Sequence, residues 1–252
     1  MASTVRTDKV GPVSGSADFT LPSADGTAGQ FLKTDGSLAL GFATVASTGF
    51  NTVQFITTST NPVSLSTGTT KILIEVQGAG GCGAGTDAPG YTGGGGGSGG
   101  FSKQFLTVVD SDTFNVTIGA GGTDAVTRDG GDTIFAQVSG SSLGSTITAG
   151  GGIGGANPSG ANTSGGNGGP ITNANSGQKL NLAGQYGQAG ADYGFVTGGN
   201  SLYGSGGMKQ DAGSPQAGEP AWGYGSGGGC GQGSNQPGGD GAPGLVVVWE
   251  YK

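Results

Sequence analysis

The sequence predicts an all-β protein: an antiparallel, jelly-roll-like sandwich with long glycine-rich insertions, preceded by a small N-terminal β unit and an extended arm. Three observations lead there. Apolar residues alternate in short runs rich in Val, Ile, Phe and Thr, with no sustained helical period. Glycine makes up 61 of 252 residues, eight of them in residues 1–77 and 53 in residues 78–252. The chain is nevertheless 33% hydrophobic and only 10% charged, whereas disordered chains combine low hydrophobicity with high net charge. Collagen is excluded too, because glycine does not hold every third place over long stretches.

Taken in order, residues 1–15 are polar and carry Pro12 with Gly and Ser, which reads as an extended arm. Residues 16–50 form a short β unit. Phe19 and Leu21 alternate, Pro22 ends the run, and Asp25-Gly26 and Asp35-Gly36 are turn dipeptides. So small a unit buries too little surface to stand alone. Residues 51–252 form the glycine-rich β-sandwich domain. Thr52–Thr58 is its first strand. In KILIEVQ (71–77), Ile72, Ile74 and Val76 point one way, and Lys71, Leu73, Glu75 and Gln77 the other. Further strands are expected at 101–109, 113–118, 132–138 and 145–148. In the closing GLVVVWEYK, Leu245, Val247, Trp249 and Tyr251 share a face. Its five consecutive apolar residues place it inside the sheet, beside an early strand.

Between the strands lie glycine tracts at 78–100, 119–131, 150–169 and most of 184–244. Structureless loops of that length are uncommon in compact domains. The ordered alternative is a bundle of polyproline-II-like helices. Each has three residues per turn, and glycine at the contacts lets backbones approach and hydrogen-bond. Gly151, Gly154, Gly160, Gly166 and Gly169 keep one three-residue phase, broken at Asn157 and Thr163. Gly198, Gly204, Gly207 and Gly213 do the same. Both ends of the 150–244 stretch are pinned by strands, which favours order.

Several functions are excluded. There is no His, so His triads, His relays and His-ligated metals are out. Two Cys make neither a thiolate zinc site nor a disulfide framework. Nine basic against 16 acidic residues leave a net charge of −7 and no basic stripe for nucleic acid. The longest apolar run, Leu245–Trp249, is too short for a bilayer-crossing helix. The opening MASTVRTDKVGP has no apolar h-region, so no secretory signal is expected. Gly78, Gly80 and Gly83 spell a dinucleotide fingerprint, but no helix can follow in AGTDAPGYTGGGGG to receive a pyrophosphate. Asp110, Asp112, Asp124, Asp129 and Asp132 read as turn caps rather than a calcium loop. Cys82 and Cys230 read as unpaired small residues, with a pairing open if their strands are neighbours. No cofactor, metal or catalytic residue is expected.

The aromatics carry the remaining signal. Phe55, Phe105, Phe114 and Trp249 lie on strands and are most simply core. Tyr91, Tyr186, Tyr193, Phe195, Tyr203, Trp222 and Tyr224 instead lie among Gly, Asn, Ser and Gln. Such rings either plug gaps between glycine segments or form a contact surface, where rigid rings supply area and small residues supply shape. They are the candidate binding residues.

The segments KILIEVQGAGG (71–81), GGFSKQFLTVV (99–109), TFNVTIGAGG (113–122), TITAGGG (146–152) and GAPGLVVVWEY (241–251) resemble, in that order, the glycine-rich domain of bacteriophage tail-fibre proteins. Upstream, ADFTLPSADGTAGQFLKTDGSL is similar to an N-terminal motif of fibres from phages of cyanobacteria and marine bacteria. The resemblance implies a jelly-roll-like sheet with bundled polyglycine helices, in a homotrimeric fibre on the virion whose tip recognises the host. The implied partners are its own copies, other virion tail or neck proteins met by residues 1–15, and a host surface glycan or outer-membrane protein. The alternative is a decoration, collar or head fibre that touches only virion proteins. No catalytic motif comes with the resemblance. A threefold bundle would bury Phe19, Leu21, Phe31 and Leu32 around one axis.

Overall fold

The computed structural model describes residues 7–10, 18–45, 48–86, 91–124, 128–140, 143–158, 163–190, 195–208 and 215–252. Every regular element among them is a β-strand. The chain divides into two compact units, Met1–Thr48 and Gly49–Lys252, so the glycine-rich unit begins two residues before the expected residue 51.

The first unit pairs β1 (Lys9–Val10) with β2 (Phe19–Thr20), and β3 (Gln30–Thr34) with β4 (Leu40–Thr44). Part of the expected arm is therefore strand. Asp35 shapes the β3–β4 turn by accepting N–H bonds from Ser37 (2.7 Å) and Ala39 (3.1 Å). Phe31, Leu32 and Phe42 of this hairpin remain exposed.

The second unit is a sandwich of two five-stranded antiparallel sheets. Its strands are β5 (Phe50–Ile56), β6 (Thr60–Ser64), β7 (Lys71–Gln77), β8 (Phe101–Thr107), β9 (Thr113–Thr117), β10 (Thr133–Ser139), β11 (Ile147–Ala149), β12 (Ile171–Asn173), β13 (Lys179–Leu182) and β16 (Leu245–Tyr251). One sheet has the order β13-β8-β7-β16-β5 and the other β12-β11-β10-β9-β6. A separate ribbon joins β14 (Tyr203–Ser205) to β15 (Trp222–Tyr224). As its apolar run requires, β16 lies inside its sheet, between β5 and β7, and Leu245–Val248 are buried.

Alternation builds the core. Ile72, Ile74, Val76, Leu106, Val246 and Val248 of the first sheet face Phe114, Val116, Phe135 and Ile147 of the second, all buried. Phe114 and Phe135 stack with centroids 4.7 Å apart. One carboxylate shares this interior. Glu250 is fully buried and accepts bonds from Gln54 Nε2 (2.6 Å), Ser66 N (2.7 Å) and Thr69 Oγ1 (2.7 Å), the satisfaction that a buried polar group demands.

The glycine tracts are ordered where described. They leave β7, β9, β11 and β13 and enter β8, β10, β12 and β16 at one end of the sandwich, as the register Leu182↔Phe101↔Gln77↔Leu245 shows for one sheet. Segment 78–86 defines their geometry. Gly78, Gly81 and Ala84 donate to Gly100, Gly97 and Gly94; Ala79 and Cys82 to Gly131 and Arg128; Gly80, Gly83 and Thr86 to Ala242, Gly239 and Gln236. These N···O distances run from 2.8 to 3.2 Å. Every third residue thus addresses the same neighbour, as three residues per turn requires. Its carbonyls accept from Gly152 and Gly155, from Gly122, and from Gly228 and Gly231. Six segments surround it, and backbone groups that side chains could not reach are paired.

Glycine is required at these contacts. A methyl built on Gly80 would overlap the Ser226 carbonyl, and one on Gly166 the Ile153 carbonyl. The phase read from the sequence is real at Gly166 and Gly169, which donate to Gly95 and Ser98. At Gly151 and Gly154 the third partner is a side chain and not a backbone carbonyl. Asp132 and Asp129 take those N–H groups instead, at 3.0 and 2.8 Å. Gly160 and Gly213, also read in phase, lie outside the described residues.

Candidate functional site

The outer face of the β13-β8-β7-β16-β5 sheet is rich in rings, because the residues alternating with the core strand by strand are apolar as well. The register sets Phe105, Leu73, Trp249 and Val53 in one row and Lys103, Glu75, Val247 and Phe55 in the next. Phe50 lies 6.3 Å from Trp249 and 6.2 Å from Tyr251, and Phe105 lies 6.4 Å from Tyr251, centroid to centroid. The expectation that Phe55, Phe105, Phe114 and Trp249 are all core therefore holds only for Phe114. Phe55 is 64% exposed, Phe105 41% exposed and Trp249 half-buried. The reason is parity: Phe105 is two residues from Lys103, and Trp249 alternates with the buried Val248 and Glu250.

An ion pair lies within this face, while Lys71 at the far end of β7 is exposed. Lys103 Nζ lies 2.8 Å from Glu75 Oε1. Tyr203 Oη and Trp249 Nε1 both donate to Glu75 Oε2, the latter at 3.3 Å. Burial pushes the Glu75 carboxyl up, but these bonds outweigh it and hold the group below its ordinary value. Burial, then Glu75, pushes the Tyr203 phenol up.

The candidate receptor-binding rings fall into three places. Tyr203, Trp222 and Tyr224 come together on the β14–β15 ribbon, where Tyr203 pairs with Tyr224 and Ser205 with Trp222. This ribbon lies against the sheet's outer face: the Tyr203 ring is 6.2 Å from Phe101. Trp222 is 68% exposed. Tyr186 and Phe195, at 73% and 69% exposure, stand on bundle segments joined by the Gln188 N–H to Thr197 carbonyl bond. Tyr91 is half-buried at the bundle end remote from the sandwich, its carbonyl accepting the Gly233 N–H. Tyr193 lies outside the described residues. Sequence reasoning missed Phe50, Phe55, Phe105, Trp249 and Tyr251. Their signal was available in Phe-Ser-Lys-Gln-Phe (101–105), which sets two rings and a lysine on one face.

The aspartates serve the backbone. Asp110 accepts the Gly68 N–H at 2.9 Å, Asp112 that of Val109 at 3.2 Å, and Asp124 that of Gly238 at 3.3 Å. Among the described residues no group of three His, Cys, Asp or Glu could hold a metal ion. Asp124 and Asp240 do line an open groove of about 660 Å³ with Thr123, Pro220 and Pro237. Cys82 and Cys230 are buried and form no disulfide; burial raises the Cys82 thiol.

A two-sheet sandwich continued by a polyglycine bundle defines a class of all-β protein whose glycine is structural. The model of the glycine-rich domain family matches residues 56–251, and the chain belongs to that family. A search of the curated proteins finds no match.

Proposed function

We propose that the protein is a structural subunit of a virion fibre that attaches the particle to its host, with the glycine-rich domain as receptor-binding tip. The observation that carries this reading is the exposed ring surface: Phe50, Phe55, Phe105 and Trp222, beside a lysine already matched by Glu75. Exposed apolar surface of this kind marks interaction sites, and rings presented on paired backbone lose little freedom on binding. With so little free charge, ring faces and backbone hydrogen bonds would carry recognition of a host surface glycan or an outer-membrane protein. The protein needs no cofactor or metal for this role, and it is not an enzyme. Paired carboxylates of a depolymerase must differ in environment, whereas the described aspartates mostly cap backbone N–H groups.

In this reading residues 1–15 anchor the fibre to tail or neck proteins and three copies assemble through the first unit, whose Phe31, Leu32 and Phe42 are exposed. The virion is the place of action. A collar or head fibre that binds only virion proteins is the second reading. The place of β5 at a sheet edge favours it, because an edge strand can pair with a strand of a neighbouring virion protein.

The test is adsorption of purified protein to bacterial envelopes. Binding that Trp222→Ala weakens, with the fold intact, is expected. Binding to virion proteins alone would favour the second reading, and oligosaccharide released from envelope polysaccharide would overturn the non-enzymatic one. Removing residues 1–15 should leave a folded protein that no longer joins the particle.

A further inference from the structure

The geometry points to a site for an acidic sugar, a uronic-acid residue of a glycan chain, in the groove between β8 and β13 on the sheet's outer face. It rests on the attachment reading for the choice of a glycan among anionic partners. The groove holds about 400 Å³ and is lined by Leu73, Lys103, Phe105, Gln178, Lys179 and Leu180. Ordinary ligand sites enclose roughly 300–1,000 Å³, so there is room for a sugar residue. The contact groups are open to solvent. Phe105, Gln178, Lys179 and Leu180 are exposed, and the Lys103 side chain is 40% exposed. The Phe105 N–H donates to the Gln178 carbonyl at 3.3 Å, which ties the start of β13 to the strand that carries the ring.

Charge selects the ligand. The chain carries a net charge of −7, yet this groove is positive. Of the strand residues that alternate onto the outer face, Glu75 alone is acidic, and Lys103 already pairs with it at 2.8 Å. Lys179 Nζ donates to the carbonyls of Asn173 (2.7 Å) and Asn175 (2.6 Å), which are neutral and leave its charge uncompensated. Lys71, two residues from Leu73 on the same face, is exposed. Among the described residues neither Lys71 nor Lys179 forms an ion pair. Two uncompensated cations thus border the groove, and a cleft bordered by one sign of charge concentrates ligands of the other. The rings select the kind of anion. Phe105 lies 6.4 Å from Tyr251, which pairs with Lys71 and lies 6.2 Å from Phe50, so an aromatic strip runs from the groove past the lysine. A bare inorganic anion uses none of that strip. A uronic acid lays its C–H face on Phe105, sets its hydroxyls against the exposed Gln178 amide and turns its carboxylate to the lysines.

The test uses the full chain labelled with ¹⁵N and, as probes, methyl glucuronide, methyl galacturonide, methyl glucoside and an acetylated tripeptide of glutamate. Each is added to about 20 mM at low salt, because so small a contact gives a Kd on the order of 1 mM. At least one uronide should shift the amides of Lys103, Phe105 and Leu180 and bind roughly fivefold or more tightly than the glucoside. Salt at about 0.5 M should remove most of that preference. Lys71→Glu should weaken uronide binding roughly fivefold or more and leave the glucoside unaffected. Phe105→Ser should abolish both, with the rest of the spectrum unchanged. Four results would overturn the site: no shift with either uronide, uronide and glucoside bound equally, uronide affinity that Lys71→Glu leaves unchanged, or a response to the glutamate tripeptide but to no sugar. Envelope adsorption separates this from the attachment reading. A protein that adsorbs to envelopes but binds neither uronide removes the site and leaves attachment standing. Uronide binding by a protein that adsorbs to no envelope removes attachment and leaves the site standing.

Discussion

Gly80 and Gly41 show what a single missing side chain decides. Gly80 faces the Ser226 carbonyl at a distance no methyl tolerates, whereas nothing lies within 4 Å of the methyl position on Gly41. Gly80→Ala should cost roughly 3 kcal/mol or more, since overpacking against backbone has no soft neighbour to yield. Gly41→Ala should change stability by about 1 kcal/mol or less. Denaturant unfolding of the two variants checks both. Rings divide in the same way. Phe114→Ala should cost about 3–5 kcal/mol, and Phe55→Ser no more than about 0.5 kcal/mol. An equal loss in the two would contradict the placement of Phe55 on the outer face.

At the scale of elements, β7 and β16 were legible because alternation and length are local properties. KILIEVQ gave its inner and outer faces correctly, and the apolar run of β16 announced an inner strand. β6, β12, β13 and the ribbon were not legible, because three to five residues of mixed polarity carry no period; only their pairing partners make them strands. The same limit hid the ring-rich outer face. That Phe105 opposes Leu73, and Leu73 opposes Trp249, is a matter of register between segments distant in the sequence. Register also creates the Lys103–Glu75 centre, which has a pH consequence. The folded state holds Glu75 below its ordinary value of 4.5. The stability it contributes is therefore fully present above the unfolded-state value and is lost as pH falls through the folded one. The melting-temperature gap between the wild type and Glu75→Gln should be constant near neutrality and close below pH 4.5. A gap that widened on acidification would reverse the sign.

For the whole molecule, the central matter is how a chain with 61 glycines stays ordered. Glycine loses more backbone entropy on folding than any other residue. What offsets the loss is a lattice in which every third N–H finds the same neighbour, with the Asp132 and Asp129 side chains completing it at Gly151 and Gly154. The period was visible in the sequence; which segment adjoins which was not, since that follows from the strands that launch them. The exposed apolar hairpin of the first unit calls for association, and sedimentation of the full chain should give three times the 24.0 kDa monomer mass. A monomer at all concentrations would contradict the trimer. The most direct test of the account is residue-resolved hydrogen exchange across the glycine tracts. The amides of Gly81, Gly97, Gly166 and Gly228, each bonded across to a neighbouring segment, should exchange only on global unfolding, as slowly as Ile74 and Val248 of the sandwich. Exchange at the rate of an unfolded peptide in those four, with the sandwich still protected, would mean that the bundle does not exist in solution.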